Sequence, residues 1–123
     1  MQSTNIISTK EVAKRTAGGD SYIRTKDGRV MGIAITKKKN TKAPSIITVT
    51  KGPLIMKNAD LLAETKIAVP VYLKLGTNQW LHKGNYKVIR YSLNIADKDE
   101  YKGSWDIDDI HGILFLEKEK NEN

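Results

Sequence analysis

The chain has 123 residues and a mass of 13.8 kDa, which suits one domain and is too short for two domains with full hydrophobic cores. It has no cysteine, which excludes disulfides, cysteine-ligated zinc and cysteine nucleophiles. The formal net charge is +7, but residues 1–91 carry +12 and residues 92–123 carry −5. This balance predicts an anionic partner, with nucleic acid as the first candidate.

We expect a single domain over residues 1–123, with a core at 8–116 and a frayed charged tail at 117–123. No stretch approaches the length of an apolar membrane span. Residues 1–14 also lack the apolar segment of a secretory signal. The sequence therefore predicts no membrane association and a cytoplasmic location.

The first predicted elements are a short helix and a hairpin. Ser8 fits the N-cap of the helix, with Glu11 reciprocating three residues later, and Gly18-Gly19 ends the helix. The hairpin has strands at 21–25 and 30–35. Its turn is Lys26-Asp27-Gly28-Arg29, because Asp-Gly supplies the positive φ angles of a tight reversal.

A polar basic loop, residues 37–44, leads to a third predicted strand at Ile46–Thr50, which Gly52-Pro53 stops. Asn58 is the predicted cap of a second short helix, Ala59–Glu64. A fourth strand is expected at Ala68–Leu75, with Pro70 marking a sheet edge or the start of the strand.

The rest of the chain is predicted to be β-rich. After a turn at residues 76–79, a short strand, Trp80–His82, turns again at Lys83-Gly84-Asn85. An alternating strand at Tyr86–Leu93 and a last strand at Ile113–Leu116 complete the set. The expected fold class is α+β, mainly β: a small antiparallel pseudo-barrel with two short helices.

Basic side chains form the clearest candidate binding surface. Exposed lysines near phosphates add salt-dependent affinity that is independent of base sequence, because they release counterions. The loop supplies four of them and the first hairpin supplies three more cations. The predicted nucleic-acid-binding residues are Lys37, Lys38, Lys39 and Lys42 in the loop, and Arg24, Lys26 and Arg29 at the hairpin.

Aromatic residues are interspersed with these charges, namely Tyr22, Tyr72, Trp80, Tyr86, Tyr91 and Trp105. Core packing is the first expectation for any one of them. An aromatic ring with an open face beside a basic rim can instead stack on a base. Trp80 and Tyr86 bracket a turn that a barrel would place at its rim, so they are the leading candidates for a base pocket.

Candidate catalytic and metal sites are weak. Asp60 with Glu64-Thr65-Lys66 superficially matches the D…E-x-K site of restriction-type nucleases, but the two carboxylates lie four residues apart on a predicted helix. The carboxylates at 97–109 lack the glycine and glutamate of a calcium loop, which favours a plain acidic loop. His82 and His111 are the only histidines and make a poor zinc site. We predict no catalytic residues, metal or cofactor.

One stretch of the chain resembles a known family. Val69-Pro70-Val71-Tyr72-Leu73-Lys74, Asn78-Gln79-Trp80 and Gly84-Asn85-Tyr86-Lys87-Val88 follow the pattern P-V-[FY]-x-[KR]…W-x-x-x-G-x-[YF]-x-V. This pattern resembles PUA-like barrels, especially the SRA-type and EVE-type modules of modification-dependent restriction systems. The resemblance spans roughly residues 18–116.

The resemblance implies a pseudo-barrel that binds nucleic acid, DNA more than RNA, and flips a modified base into an aromatic pocket at a cost of a few kcal/mol. Trp80 and Tyr86 match the family pattern, and Asp20 and Tyr22 are looser members of the implied pocket. We do not expect these 123 residues to include the nuclease domain that is usually fused to such modules.

Three functional hypotheses follow from the sequence. The first is a non-enzymatic nucleic-acid-binding module. The second is a small phage or defence-system accessory protein that sequesters a nucleotide signal or inhibits a partner protein. The third, which the residues favour least, is a small nuclease. The acidic C-terminal region either screens the basic body or docks a partner protein.

Overall fold

The computed structural model describes residues 6–18 and 21–120. Within these residues one curled sheet has the strand order β2-β3-β5-β6-β7-β4, with β1 paired to β6. The strands are β1 (Ile6–Ile7), β2 (Ile23–Lys26), β3 (Arg29–Thr36), β4 (Ile46–Thr50), β5 (Val69–Gly76), β6 (Gln79–Ser92) and β7 (Ile110–Lys118). The helices are α1 (Thr9–Thr16), α2 (Pro53–Thr65), α3 (Ile95–Glu100) and a 3₁₀ turn at Ile107–Asp109.

The predicted fold class, a mainly β pseudo-barrel with short helices, is confirmed. Two details differ from the prediction. The described chain holds three α-helices rather than two, because the segment expected to be an acidic loop contains α3. The sheet is also not wholly antiparallel, since β3 and β5 pair in parallel.

The core lies inside the curl of the sheet, around α2. This helix contacts both edge strands, β2 and β4, and its buried face repeats at Ile55, Ala59 and Leu62, the spacing of one helical face. Alternation along the strands places the second cluster on the opposite face. There Val12 of α1 packs with Ala34, Tyr72 and Trp80.

The predicted N-cap of α1 and the predicted turn of the first hairpin are confirmed, but one predicted capping bond of α1 is not. The Ser8 hydroxyl accepts the Glu11 N–H at 3.1 Å. The reciprocal bond predicted for Glu11 is wrong, because its carboxylate binds Arg15 at 2.8 Å. The predicted hairpin turn is present, with positive φ at Asp27 (53°) and Gly28 (78°).

The predicted start of α2 is wrong. Gly52 is the N-cap and Pro53 opens the first turn, because proline has no N–H to leave unsatisfied there and its φ already suits a helix. Asn58 is therefore a buried residue in mid-helix. Its side-chain amide donates to the carbonyl of Ile23 at 2.8 Å.

Two strand predictions also need correction. Residues 83–85 do not turn: β6 runs through them with a bulge, and Gly84 adopts φ +118°. Strand β7 extends to Lys118, so the first two residues of the predicted tail are ordered in the sheet. The second of the two places predicted for Pro70 is confirmed, because it is the second residue of β5, which is an inner strand.

Candidate nucleic-acid interface

The basic loop crosses the open side of the half-barrel, from the end of β3 to the start of β4. Lys37, Lys38, Lys39 and Lys42 are all exposed, whereas Asn40 between them is buried. The Asn40 side-chain carbonyl accepts the Thr48 N–H at 2.8 Å. One buried polar side chain thus ties the loop to β4 while the lysines on both sides of it face solvent.

Lys74 joins two of these lysines in a surface groove. Parallel pairing places Thr36 opposite Lys74, so β3 and β5 end side by side and the chain leaves both at one edge of the sheet. The groove has a volume of about 520 Å³ and is lined by Thr36, Lys37, Lys38, Lys74, Leu75, Gly76 and Thr77. We call it the lysine groove. It has three cationic side chains and no carboxylate among its lining residues.

The other two loop lysines lie over aromatic rings. The Lys39 ammonium is 4.5 Å from the ring centroid of Trp105, and the Lys42 ammonium is 5.8 Å from that of Tyr101. Both distances allow cation–π attraction. The indole N–H of Trp105 is buried without a hydrogen-bond partner.

The aromatic side of this surface is held in place by α3. The Asp97 carboxylate accepts from the Ser92 hydroxyl at 2.6 Å and from Arg90 at 3.0 Å. The hydrogen bond from Ser92, followed by that from Arg90, lowers the pKa of Asp97. The Asn94 side chain caps the helix by accepting the Ala96 N–H at 3.0 Å.

The hairpin cations are not brought to the basic loop. Arg29 begins β3 and Lys37 follows its end, so the eight residues of the strand separate them by roughly 25 Å. Lys26 is exposed at the same far end. Arg24 is half-buried and donates to the Ser21 carbonyl at 3.3 Å.

The predicted pocket residues are divided between the two hydrophobic clusters: Trp80 lies in one, and Tyr86 and Tyr22 pack in the other. Trp80 is buried in the α1 cluster, where its indole N–H donates to the Thr9 hydroxyl at 2.9 Å. Tyr86 is buried in the other cluster, around α2. The half-buried Tyr22 donates its hydroxyl to the Thr48 carbonyl. Asp20 lies outside the described residues.

The carboxylates considered for a nuclease are exposed on α2. Asp60 and Glu64 face solvent, and Lys66 caps the end of the helix with a positive φ of 54°. Over residues 6–18 and 21–120, no group of three or more His, Asp or Glu side chains is arranged to hold a metal ion. The helices in those ranges are too short or too polar to cross a membrane.

Three residues of the interface were not predicted as site residues. Lys74 ends a strand 36 positions after Lys38, and only the parallel pairing brings the two together. Tyr101 and Trp105 belong to the segment that we expected to be a separate acidic loop. The Asn94-x-x-Asp97 spacing is typical of a helix N-terminus. It could have predicted α3, which ends directly before Tyr101.

Comparisons with known proteins found no relative: no protein-family model, curated protein or solved structure matches the chain.

Proposed function

We propose that the chain is a nucleic-acid-binding module whose lysine groove contacts the phosphate backbone. The observation that carries the proposal is the convergence of Lys37, Lys38 and Lys74 on one groove with no carboxylate in its lining. Three cations in a concave surface focus positive potential and attract a polyanion. Their contribution to binding is expected to be independent of sequence and strongly dependent on salt.

Lys39, Lys42 and the rings beneath them extend the proposed contact. Trp105 and Tyr101 are both half-buried, so each residue keeps part of its surface exposed beside a cation. A base from a single-stranded segment can stack on such a ring, and this contributes roughly 1–3 kcal/mol per base. We therefore assign the aromatic contact to this pair and not to Trp80 and Tyr86, which are buried in separate clusters.

The proposal includes the resemblance to PUA-like modules, which bind nucleic acid as pseudo-barrels. The fold class of this chain is compatible with that resemblance. The three cations of the groove favour contact with a phosphate backbone, and the flipped, modified base that the resemblance implies is not part of this proposal. No enzymatic step is proposed.

The test is a binding titration with duplex DNA, single-stranded DNA and single-stranded RNA over a range of salt concentrations. The variant Lys37→Ala/Lys38→Ala/Lys74→Ala removes the three cations of the groove. On duplex DNA we expect its affinity to fall and its log–log salt slope to flatten by about 2 to 3, because each phosphate contact contributes about 0.9 to that slope.

A matched control removes three exposed lysines elsewhere, Lys51, Lys57 and Lys87, and so changes the net charge by the same amount. If both triple variants lose the same affinity, the effect is one of net charge, and the lysine groove is not the interface. A salt slope that stays unchanged in the groove variant contradicts the proposal outright.

A further inference from the structure

A second concave surface lies where the pairing partner of β6 changes. The first half of β6 pairs with β5 and the second half with β7, and the change occurs around Tyr86. The concavity at this fork has a volume of about 750 Å³. Its lining residues, which we call the histidine bowl, are His82, Lys83, Gly84, Asn85, Lys118, Glu119 and Lys120.

His82 is the unusual side chain of the bowl. Its ring stacks on Tyr72, with centroids 4.8 Å apart and planes at 24°. Its Nε2 atom is buried and has no hydrogen-bond partner, a state that costs free energy unless a partner arrives. Burial lowers the pKa of His82, and the nearby charges of Arg15 and Lys118 lower it further.

Gly84 allows a lysine to lie over the bulge of β6. A Cβ atom at this position would be 2.7 Å from Lys118 Cε and 3.4 Å from its ammonium nitrogen. The φ of +118° also favours glycine here. The exposed side chain of Lys118 therefore lies over the strand next to His82, in space that a side chain at residue 84 would occupy.

We propose that the histidine bowl binds a small phosphate-bearing molecule, of the class of inorganic phosphate or a nucleoside monophosphate. On binding, the His82 side chain rotates so that its buried Nε2 N–H donates to a phosphate oxygen, and Lys83, Lys118 and Lys120 neutralise the charge of the ligand. Glu119, the one carboxylate in the lining, opposes an anion, but three lysines outnumber it. Concavities of roughly 300–1,000 Å³ hold ligands of this size.

The bowl is separate from the lysine groove and its occupant need not be a polymer. The Trp80–Lys74 register places the groove at the start of β6, whereas the bowl is lined by β6 residues from His82 onward. Binding at the bowl is therefore a second property of the chain, which holds whether or not the groove binds nucleic acid.

Histidine proton resonances provide the test, because His82 and His111 are the only two histidines. Inorganic phosphate and adenosine monophosphate are titrated separately at constant ionic strength, and the two arms distinguish the free anion from a nucleotide. We expect saturable shifts of His82 and a rise in its pKa, because a bound anion offsets the charges of Arg15 and Lys118. His111 lies at the far end of β7 and is expected not to respond.

Variants separate a built site from a general charge effect. Lys83→Ala/Lys118→Ala is expected to weaken binding at least tenfold, and His82→Gln, measured by calorimetry, at least threefold. The groove variant Lys37→Ala/Lys38→Ala/Lys74→Ala removes three lysines elsewhere and is expected to bind phosphate and adenosine monophosphate with the affinity of the wild type. The two proposals can therefore fail independently of each other. Equal shifts at both histidines, or unchanged affinity in the folded double variant, would overturn the inference.

Discussion

The side chain of Asn40 ties the basic loop to β4 by accepting the backbone N–H of Thr48 at 2.8 Å. Strand β4 is at the edge of the sheet, so this N–H would otherwise point away from any ladder. The backbone carbonyl of Thr48 accepts the hydroxyl of Tyr22, which lies next to the opposite edge strand, β2. Both outward polar groups of Thr48 are thus bonded by side chains, which protects an edge strand from pairing with another chain.

Replacing Asn40 by alanine is expected to destabilise the fold by about 1–3 kcal/mol, because it leaves a buried N–H without an acceptor. Urea unfolding measures the loss. Thr41→Ala, at the exposed neighbouring position, is the control and should change the free energy of unfolding by less than about 0.5 kcal/mol. Equal stability of the two variants would show that the Asn40 bond does not stabilise the attachment of the loop to β4.

Tyr22→Phe should lower the free energy of unfolding at neutral pH and leave it close to that of the wild type at alkaline pH. Near pH 7 the variant loses the bond to Thr48 and about 1 kcal/mol of stability. Burial raises the pKa of Tyr22 to about 12, above the value of about 10 for an unfolded tyrosine. The stabilisation of the wild type by the Tyr22 hydroxyl is therefore present below about pH 10 and is lost as the pH rises through about 12.

At about pH 11 the wild type should have lost about 1.4 kcal/mol through this residue, so the stability difference between wild type and Tyr22→Phe should vanish there. Unfolding curves collected at intervals between pH 7 and 11 measure that difference. A difference that stays constant over this range contradicts the assignment of a raised pKa to Tyr22. Burial also raises the pKa of Tyr91 to about 12, and the charge of Tyr91 raises the pKa of Tyr22 further, so both proteins are compared in a Tyr91→Phe background.

The fold was predictable wherever a few neighbouring residues decide the backbone. Ser8 and Glu11 mark the start of α1, and Asp27-Gly28 marks the first hairpin, because capping and positive φ are local requirements. The continuous course of β6 was not predictable. Lys83-Gly84-Asn85 has turn chemistry, but its backbone is paired on one side with β5 and borders β7 on the other, so long-range pairing overrides local preference.

The candidate site was predictable only in its loop. Consecutive lysines at 37–39 are visible in any sequence scan, since exposed loop cations need no tertiary context. The place of Lys74 was not predictable, because Lys74 lies beside Lys37 only if β3 and β5 are parallel neighbours. Parallel pairing requires a crossover connection between the strands, whereas the sequence predicted antiparallel strands joined by short turns. Burial of Trp80 and Tyr86 in different clusters likewise depends on which face of the sheet each residue occupies.

Asp97→Asn should loosen α3 and leave α2 unchanged. The hydrogen bond from Ser92 and the charge of Arg90 lower the pKa of Asp97. The stabilisation by the Asp97 carboxylate is therefore present above about pH 3.9, the pKa of an unfolded aspartate. It is lost as the pH falls through the lower pKa of the folded state. Amide hydrogen exchange at neutral pH should be faster in α3 of the variant. Asp99→Asn, which removes only an exposed pair with Lys102, is the control and should leave α3 exchange near the wild-type rate.

Gly32→Ala tests how closely α1 approaches the sheet. A Cβ at Gly32 would be 2.8 Å from Thr16 Cγ2 and 3.1 Å from the Pro70 carbonyl oxygen, and Thr16 is fully buried. Overpacking of this kind is expected to cost about 1–3 kcal/mol, measured by urea unfolding. Gly76→Ala, whose nearest contact would be Gln79 Oε1 at 3.7 Å, serves as the control with ordinary packing. A Gly32 variant no less stable than the Gly76 variant contradicts this packing.

Glu100→Gln is expected to strengthen nucleic-acid binding. Glu100 lines the same small cavity as Lys39 and Lys42, so its carboxylate opposes the attraction between those lysines and phosphates. Exposed charge pairs are worth about 0–1 kcal/mol, which corresponds to an affinity gain of up to about fivefold at low salt. Screening should remove the gain near 1 M salt, where the Debye length is about 3 Å. Glu64→Gln, on the exposed surface of α2, changes net charge equally and should gain less. Equal gains in the two variants would mean that the acidic segment acts only through net charge and that Lys39 and Lys42 are not at the contact.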